Sequence, residues 1–156
     1  VFPATQWGYK NIKPSIIVEE FLGSETAVPW DYKIYCFSGH VHFIQIHMDR
    51  FINHSIIEMD RNFNLIRDFS FSTLPCHDTP KKPDNHQELI RVAEALAKGL
   101  DFMRVDLYSV EGRVFFGEMT CYHGGGLVRV CTKKDDFLLG DKWRLDPIRR
   151  GKKPLS

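Results

Sequence analysis

The densest chemistry in the chain lies toward its C-terminal end, in two short runs separated by a turn. Arg104-Val105-Asp106-Leu107-Tyr108 is followed by Glu111-Gly112, then by Val114-Phe115-Phe116-Gly117-Glu118-Met119-Thr120, which leads into Gly124-Gly125-Gly126. Apolar, β-branched and aromatic residues on both sides of a glycine-containing turn read as a β-hairpin. Each strand carries one carboxylate inside an apolar run, Asp106 and Glu118, and both acids are expected to be buried. Burying two acids is costly unless something cationic lies between them. A hard divalent ion suits, because magnesium is commonly held by one or two carboxylates together with substrate phosphates.

Hairpin parity decides whether the two acids meet. Side chains alternate faces along a strand, and opposed residues of an antiparallel pair have a constant sum of numbers. A three-residue loop, Glu111 to Arg113, pairs Val110 with Val114. It then sets Asp106 opposite Glu118 and Arg104 opposite Thr120 on one face. A two-residue loop puts the acids on opposite faces, and Glu111-Gly112 can serve either turn. The alternative is an ordinary hairpin with solvent-facing acids.

The elements that would position this hairpin are legible from patterning. Ser15 to Phe21 reads as a strand, because Ile16-Ile17-Val18 is a continuous β-branched run. Asp31 to Phe37 and Val41 to Met48 form a hairpin joined at Ser38-Gly39-His40. Ile56 to Met59 and Leu65 to Phe71 read as shorter strands, and Pro75 to Pro83 as a proline-rich loop. One helix follows, with Asp84 or Asn85 as cap, Gln87 in the first turn and Gly99 as stop. Leu89, Ala93, Leu96 and Leu100 give it an apolar face. A Lys/Asp-rich segment with Trp143 comes next, and the tail from Arg149 to Ser156 reads as a frayed end. The pattern is α+β: a mostly antiparallel sheet with one main helix.

At 156 residues, with 43% hydrophobic and 13% aromatic residues, the chain suits one packed domain and not a disordered segment. A net charge of +1 gives no overall field favouring nucleic acid or an anionic membrane. No apolar run approaches the roughly 18 residues that span a bilayer, and no signal peptide is visible. Cys36, Cys76, Cys121 and Cys131 form no close pair of zinc-finger spacing, so reduced thiols in a cytoplasmic protein are expected. His40 and His42 share a strand face that His47 does not, which argues against a histidine metal site.

Ile16-Ile17-Val18-Glu19-Glu20-Phe21-Leu22, Arg104-Val105-Asp106 and Gly117-Glu118-Met119-Thr120 together resemble the C-terminal half of an ATP-grasp enzyme, distantly similar to D-alanine–D-alanine ligases. Within that class the chain most resembles the TupA-like ATP-grasp family of surface-polysaccharide gene clusters. Trp7-Gly8-Tyr9-Lys10-Asn11-Ile12-Lys13-Pro14, Asp31 to Gly39, Phe43-Ile44-Gln45 and Asp49-Arg50-Phe51 carry this closer likeness. The resemblance implies an ATP- and Mg2+-dependent carboxylate–amine ligase that works through an acyl phosphate, acting on a small-molecule or polysaccharide-precursor substrate. It implies that Asp106, Glu118 and Thr120 bind the metal, Thr120 standing where most ATP-grasp enzymes have Asn, and that Arg104 steadies the transferring phosphoryl group. A plain Arg104–Asp106 ion pair is the alternative. Backbone groups of Phe21 and Leu22 would meet adenine, with one of Glu19 and Glu20 on the base or ribose, since two neighbours on a strand face opposite ways. Asp31, with Glu25 as competitor, would bind ribose, and Lys33 would reach phosphate. The alternative for Asp31 and Lys33 is an exposed ion pair on an edge strand.

The likeness also implies that residues 1–156 are a single domain, the C-terminal portion of an ATP-grasp fold lacking most of the lid subdomain. Lys10 and Lys13 do not replace that lid, so a partner segment or chain is expected to supply it. Two other classes fit: a truncated or degenerate nucleotide- or sugar-binding module, and a glycosyltransferase-like enzyme. The last is weakened by the lack of an Asp-x-Asp pair after a Rossmann-like start.

Overall fold

A computed structural model describes residues 7–24, 27–67, 79–127 and 132–144. Its strands are β1 (Asp31–Phe37), β2 (His40–Met48), β3 (Ser55–Asp60), β4 (Phe102–Val110) and β5 (Arg113–Thr120). They form one five-stranded sheet in the order β3-β2-β1-β4-β5, antiparallel throughout. The helices are α1 (His86–Ala97) and the shorter α2 (Lys133–Gly140). The fold is therefore α+β with one main helix. Among the described residues no helix is long and apolar enough to cross a membrane.

Alternation divides the sheet into two unlike faces. Tyr32, Ile34, Cys36, Ile44, Ile46, Val105 and Leu107 point to one side, where α1 covers them with Leu89, Ile90, Ala93 and Ala97. The buried stripe of α1 runs 89, 90, 93, 97, so Leu96 turns away and is 37% exposed, against expectation. Gly99 ends the helix region with a φ of 78°, but Asn85 makes no side-chain cap bond. Its Oδ1 accepts from Ser109 Oγ at 2.8 Å, tying the helix start to β4 instead.

The β1–β2 hairpin is tighter than expected, with Phe37 paired to His40 and a two-residue turn, Ser38-Gly39. Both turn residues have positive φ, 51° and 80°, as a turn matching the twist of a hairpin requires. Leu65 makes a single bridge to Met59 rather than opening a strand. The expected strand from Ser15 to Phe21 is not formed. Residues 13–20 lie outside any helix or strand, and Ile16, Ile17 and Val18 are 95%, 79% and 91% exposed. A β-branched run needs a ladder partner, and none is present among the described residues. Further upstream the chain is anchored, because Cys121 N donates to Tyr9 Oη at 2.8 Å and the Tyr9 and Tyr122 rings meet edge-on.

Cys36 is buried and Cys121 half-buried, both with free thiols. Glu25, Cys76, Cys131, Pro75, residues 68–71 and the tail from Arg149 to Ser156 lie outside the described residues.

Candidate active site

The β4–β5 hairpin has the turn that should have separated its acids. Glu111-Gly112 is a two-residue turn, with Val110 paired to Arg113 and φ values of 51° and 75°. Asp106 nevertheless lies opposite Glu118, and Arg104 opposite Thr120, because the register shifts by one between Asp106 and Leu107. Leu107 pairs with Phe116 and Asp106 with Glu118, so Gly117 is the extra residue of a bulge. Turn length alone therefore does not set which faces the acids take, because the bulge adds one residue to β5. Glycine suits the position, since a Cβ there would stand 3.0 Å from the Asp106 carbonyl oxygen and 3.1 Å from the Tyr108 ring.

Next to this pair lies β1, whose Lys33 is registered with Asp106, Asp31 with Tyr108 and Tyr35 with Arg104. The resulting face carries Asp31, Lys33, Arg104 and Asp106, all buried despite their charge. Lys33 Nζ bonds Asp106 Oδ2 and lies 2.8 Å from Asp31 Oδ2. Arg104 grips Asp106 with two bonds, Nε to Oδ1 at 2.7 Å and Nη2 to Oδ2 at 2.8 Å. Its Nη2 also bonds Glu118 Oε1, and Thr120 Oγ1 at 3.0 Å. The cations between the acids are thus Arg104 and Lys33. The Arg104–Asp106 ion pair offered as an alternative exists, within a wider network. Asp31 and Lys33 do not form an exposed edge pair, since β1 is the central strand. Glu118 departs from expectation: its side chain is 59% exposed and faces a cleft.

Two cavities open on this face. One of about 330 Å³ is lined by Glu19, Glu20, Phe21, Leu22, Asp31 and Arg50, among others. The second, of about 370 Å³, includes Glu19, Lys33, Arg50, Asp106 and Glu118 in its walls. Glu19, Asp31, Arg50 and Tyr108 belong to both, so the cavities adjoin. Glu19 and Glu20 both reach the first cavity, which a strand would have forbidden. Every candidate residue read from the sequence is accordingly near this face, except Glu25, which lies outside the described residues.

The electrostatics follow from burial and pairing. Burial pushes the Asp106 carboxyl above its ordinary value, against the pull of Arg104 and Lys33. On Arg104 burial opposes the charge, but the bond to Asp106 and the carboxylate charges prevail and raise its pKa. Glu118 is held low: burial opposes ionisation, while Thr120 and Arg104 outweigh it. His123, whose Nδ1 is 2.8 Å from Arg104 Nη1, falls to about 4 through burial and then the Arg104 and Lys33 charges. His47 falls to about 3, chiefly by burial and then by Lys33 and Arg50.

Two buried atoms here have no hydrogen-bond partner, Asp31 Oδ1 and His47 Nε2. A carboxylate oxygen that accepts nothing, on a residue that lines both cavities, suits a ligand's hydroxyl groups. The oxygens of Asp106, Glu118 and Thr120, on one face, suit a hard cation with phosphate as co-ligand. Among the described residues no group of three or more His, Cys, Asp or Glu side chains could hold a metal by itself. His47 Nδ1 instead lies 3.1 Å from His54 Nε2.

Sequence reasoning assigned no role to Arg50, Tyr35, Gln45 or His123. Arg50 lies 3.6 Å from Asp31. Tyr35 Oη donates to Gln45 Oε1 at 2.9 Å and contacts His123. Strand alternation was available as a signal for Tyr35 and Gln45, which share the face of Lys33. Arg50 was marked only by the Asp49-Arg50-Phe51 likeness, and nothing local marks a role for His123.

Neither the curated proteins nor the solved structures gave a significant match. The family model for TupA-like ATPgrasp, by contrast, matches residues 4–144. That span takes in the Glu19–Leu22 segment, both hairpins and the charged face. The chain therefore belongs to the TupA-like ATP-grasp family, whose fold is of the ATP-dependent ligase type.

Proposed function

We propose that this protein is an ATP- and magnesium-dependent carboxylate–amine ligase of cell-surface polysaccharide synthesis, working in the cytoplasm on a small-molecule or polysaccharide-precursor acid. The observation that carries the reading is the buried array of Asp31, Lys33, Arg104 and Asp106 beside two adjoining cavities. Bound ATP would supply the phosphoryl group that activates a carboxylate as an acyl phosphate for an amine to displace, with magnesium neutralising phosphate charge.

The chain's own residues divide that work. Backbone groups of Phe21 and Leu22 hold the base in the cavity they line, with Glu19 or Glu20 on its polar edge. Asp31, through its unpartnered oxygen, accepts from ribose hydroxyls. Lys33 and Arg104 neutralise phosphate oxygens, the planar guanidinium suiting a phosphoryl group in transfer. Asp106, Glu118 and Thr120 hold magnesium, the phosphates completing its shell.

The lid that closes over the nucleotide comes from another segment or chain. The exposed run Ile16-Ile17-Val18 supports this, being strand-forming sequence without a ladder partner among the described residues.

A second reading, a degenerate nucleotide- or sugar-binding module, draws on the mutual neutralisation of Arg104, Lys33 and Asp106. Calorimetry with a non-hydrolysable ATP analogue, with and without magnesium, separates the two. The ligase reading expects magnesium-dependent binding, lost in Asp106→Asn/Glu118→Gln. Magnesium-independent binding equal in both proteins favours the module. No binding, even with a lid segment supplied, removes the nucleotide site.

A further inference from the structure

One polar row crosses the whole sheet. Glu58 on β3 pairs with Gln45 on β2, Gln45 with Lys33 on β1, Lys33 with Asp106 on β4, and Asp106 with Glu118 on β5. Lys33, Asp106 and Glu118 belong to the site already described, and Glu58 does not. It is 8% exposed and lines neither of the adjoining cavities. Three strand spacings separate it from Arg104, roughly 14 Å at about 4.8 Å each. A carboxylate buried on the outermost strand needs hydrogen bonds to hold it there, and those bonds lead back to the site.

A directed chain joins Glu58 to Arg104. Gln45 Nε2 donates to Glu58 Oε1 at 3.3 Å, and Gln45 Oε1 accepts from Tyr35 Oη at 2.9 Å. Tyr35 Oη lies 3.1 Å from His123 Nδ1 and 3.3 Å from Nε2, and Arg104 Nη1 lies 2.8 Å from the same Nδ1. The two ends set the direction of everything between them. A guanidinium only donates, so His123 Nδ1 accepts and the ring hydrogen is on Nε2, against the Tyr35 oxygen. A carboxylate only accepts, so Gln45 turns its amide nitrogen to Glu58 and its oxygen to Tyr35. The phenol hydrogen is thereby drawn away from the imidazole. With Gln45 reversed, that hydrogen would turn to His123 and compete for the tautomer that Arg104 requires. Burial and the nearby cations keep the ring neutral, so its single N–H hydrogen has two places to be.

We propose that Glu58 is a positioning residue: through Gln45, Tyr35 and His123 it fixes the imidazole tautomer that receives Arg104 Nη1. The consequence for the site lies in the hydrogens of Arg104. Those on Nε and Nη2 go to Asp106, Glu118 and Thr120, and one on Nη1 goes to His123. The other Nη1 hydrogen has no partner among the described residues. His123 therefore sets which hydrogen of the guanidinium is left for a ligand, and Glu58 keeps His123 in that role. That the ligand is a phosphate rests on the ligase reading, whereas the tautomer does not and can be read without nucleotide.

The test is long-range proton–nitrogen NMR of the histidine rings in the full chain, with the His123 signals identified by His123→Gln. The intact protein is expected to show His123 with its hydrogen on Nε2. Glu58→Gln lets Gln45 reverse, so a second His123 tautomer should appear. Gln45→Met frees the phenol by another route and should produce it too. Tyr35→Phe removes the competing hydrogen, while the stacking on Phe43 at 4.1 Å holds the ring. The Glu58→Gln/Tyr35→Phe protein should therefore return to the single tautomer, which a merely structural defect at Glu58 would not do. ATP-analogue affinity should fall about threefold to tenfold in Glu58→Gln, the range set by one hydrogen bond, and recover in the double variant. The proposal is overturned by an intact protein with the hydrogen on Nδ1. A tautomer unchanged in both Glu58→Gln and Gln45→Met overturns it, as does a second tautomer that persists in the double variant. If the tautomers respond as expected and the analogue binds nowhere, the role of Glu58 on His123 stands and the ligase reading falls. If the analogue binds with magnesium and the tautomer never changes, the role of Glu58 falls alone.

Discussion

The two faces of the sheet use the same strands and opposite physics. Under α1, Ile34, Val105 and Leu107 are excluded from water by packing alone. On the other face Lys33 and Asp106 are almost as deeply buried, yet what holds them is a set of ion pairs and directed hydrogen bonds. The first face tolerates any shape that fills its volume. The second tolerates no unpaired member, because an uncompensated buried charge costs far more than a lost methyl group.

That contrast is broken most directly at Arg104. Arg104→Met leaves Asp106 buried with Lys33 as its single cation and leaves Glu118 with the Thr120 hydroxyl but without its arginine. A loss of about 3–5 kcal/mol in urea unfolding is expected, together with loss of ATP-analogue binding. Leu89→Ala, in the opposite core, should cost about 2–5 kcal/mol and leave nucleotide affinity intact. Should Arg104→Met prove nearly neutral, the charged face is a solvated surface and the contrast dissolves.

A smaller effect is expected at Gly117. Gly117→Ala forces its Cβ against the Asp106 carbonyl and the Tyr108 ring, for about 1–3 kcal/mol by overpacking. The sharper readout is magnesium-dependent analogue binding, which should weaken as the Asp106–Glu118 pairing shifts. Full affinity in a stable Gly117→Ala protein would mean that the bulge does not position the acids.

The smallest effect is on pH dependence, and the faces respond at opposite ends. His47 and His123 have folded pKa values near 3 and 4, below the ordinary 6.5. The unfolded chain therefore takes up protons first, and stability falls as pH drops from about 6.5 toward 3. Cys36, under the helix, is raised by burial to about 12. The unfolded thiol ionises first, so stability falls as pH rises from about 8.5 toward 12. Melting temperatures of His47→Gln and Cys36→Ala across pH should flatten the acid and alkaline limbs respectively. An unchanged acid limb in His47→Gln would remove that histidine from the account.

What could be read in the sequence was periodic or local. The β1–β2 hairpin and α1 followed from alternation and turn chemistry, whereas the meeting of Arg104, Asp106, Glu118 and Thr120 stayed open between two turn lengths. What could not be read depended on partners distant in sequence. The Gly117 bulge arises from how β5 meets β4, and no rule of turn length contains it. Ile16-Ile17-Val18 has strand-forming side chains but forms no strand, because propensity cannot supply a neighbour. Helix α2 lay hidden in a Lys/Asp-rich segment, although Thr132 accepts a capping bond from Asp135 N at 3.1 Å. His123 reaches Arg104 through a glycine-rich turn, where residue type says little about direction.

The hydrogens of Arg104 carry one more consequence. Nη2 has two of them, yet it lies within bonding reach of oxygens on Asp106, Glu118 and Thr120. That nitrogen is oversubscribed, so a phosphate cannot take one of its hydrogens without displacing an existing holder. Glu118, the most exposed of the three, yields at least cost. Whatever draws Glu118 away therefore frees an Arg104 hydrogen, and an anion on that hydrogen would free Glu118 in turn. On the proposed function, a cation on Glu118 and a phosphate on Arg104 would favour one another by equal factors through the shared arginine, without any movement of the sheet.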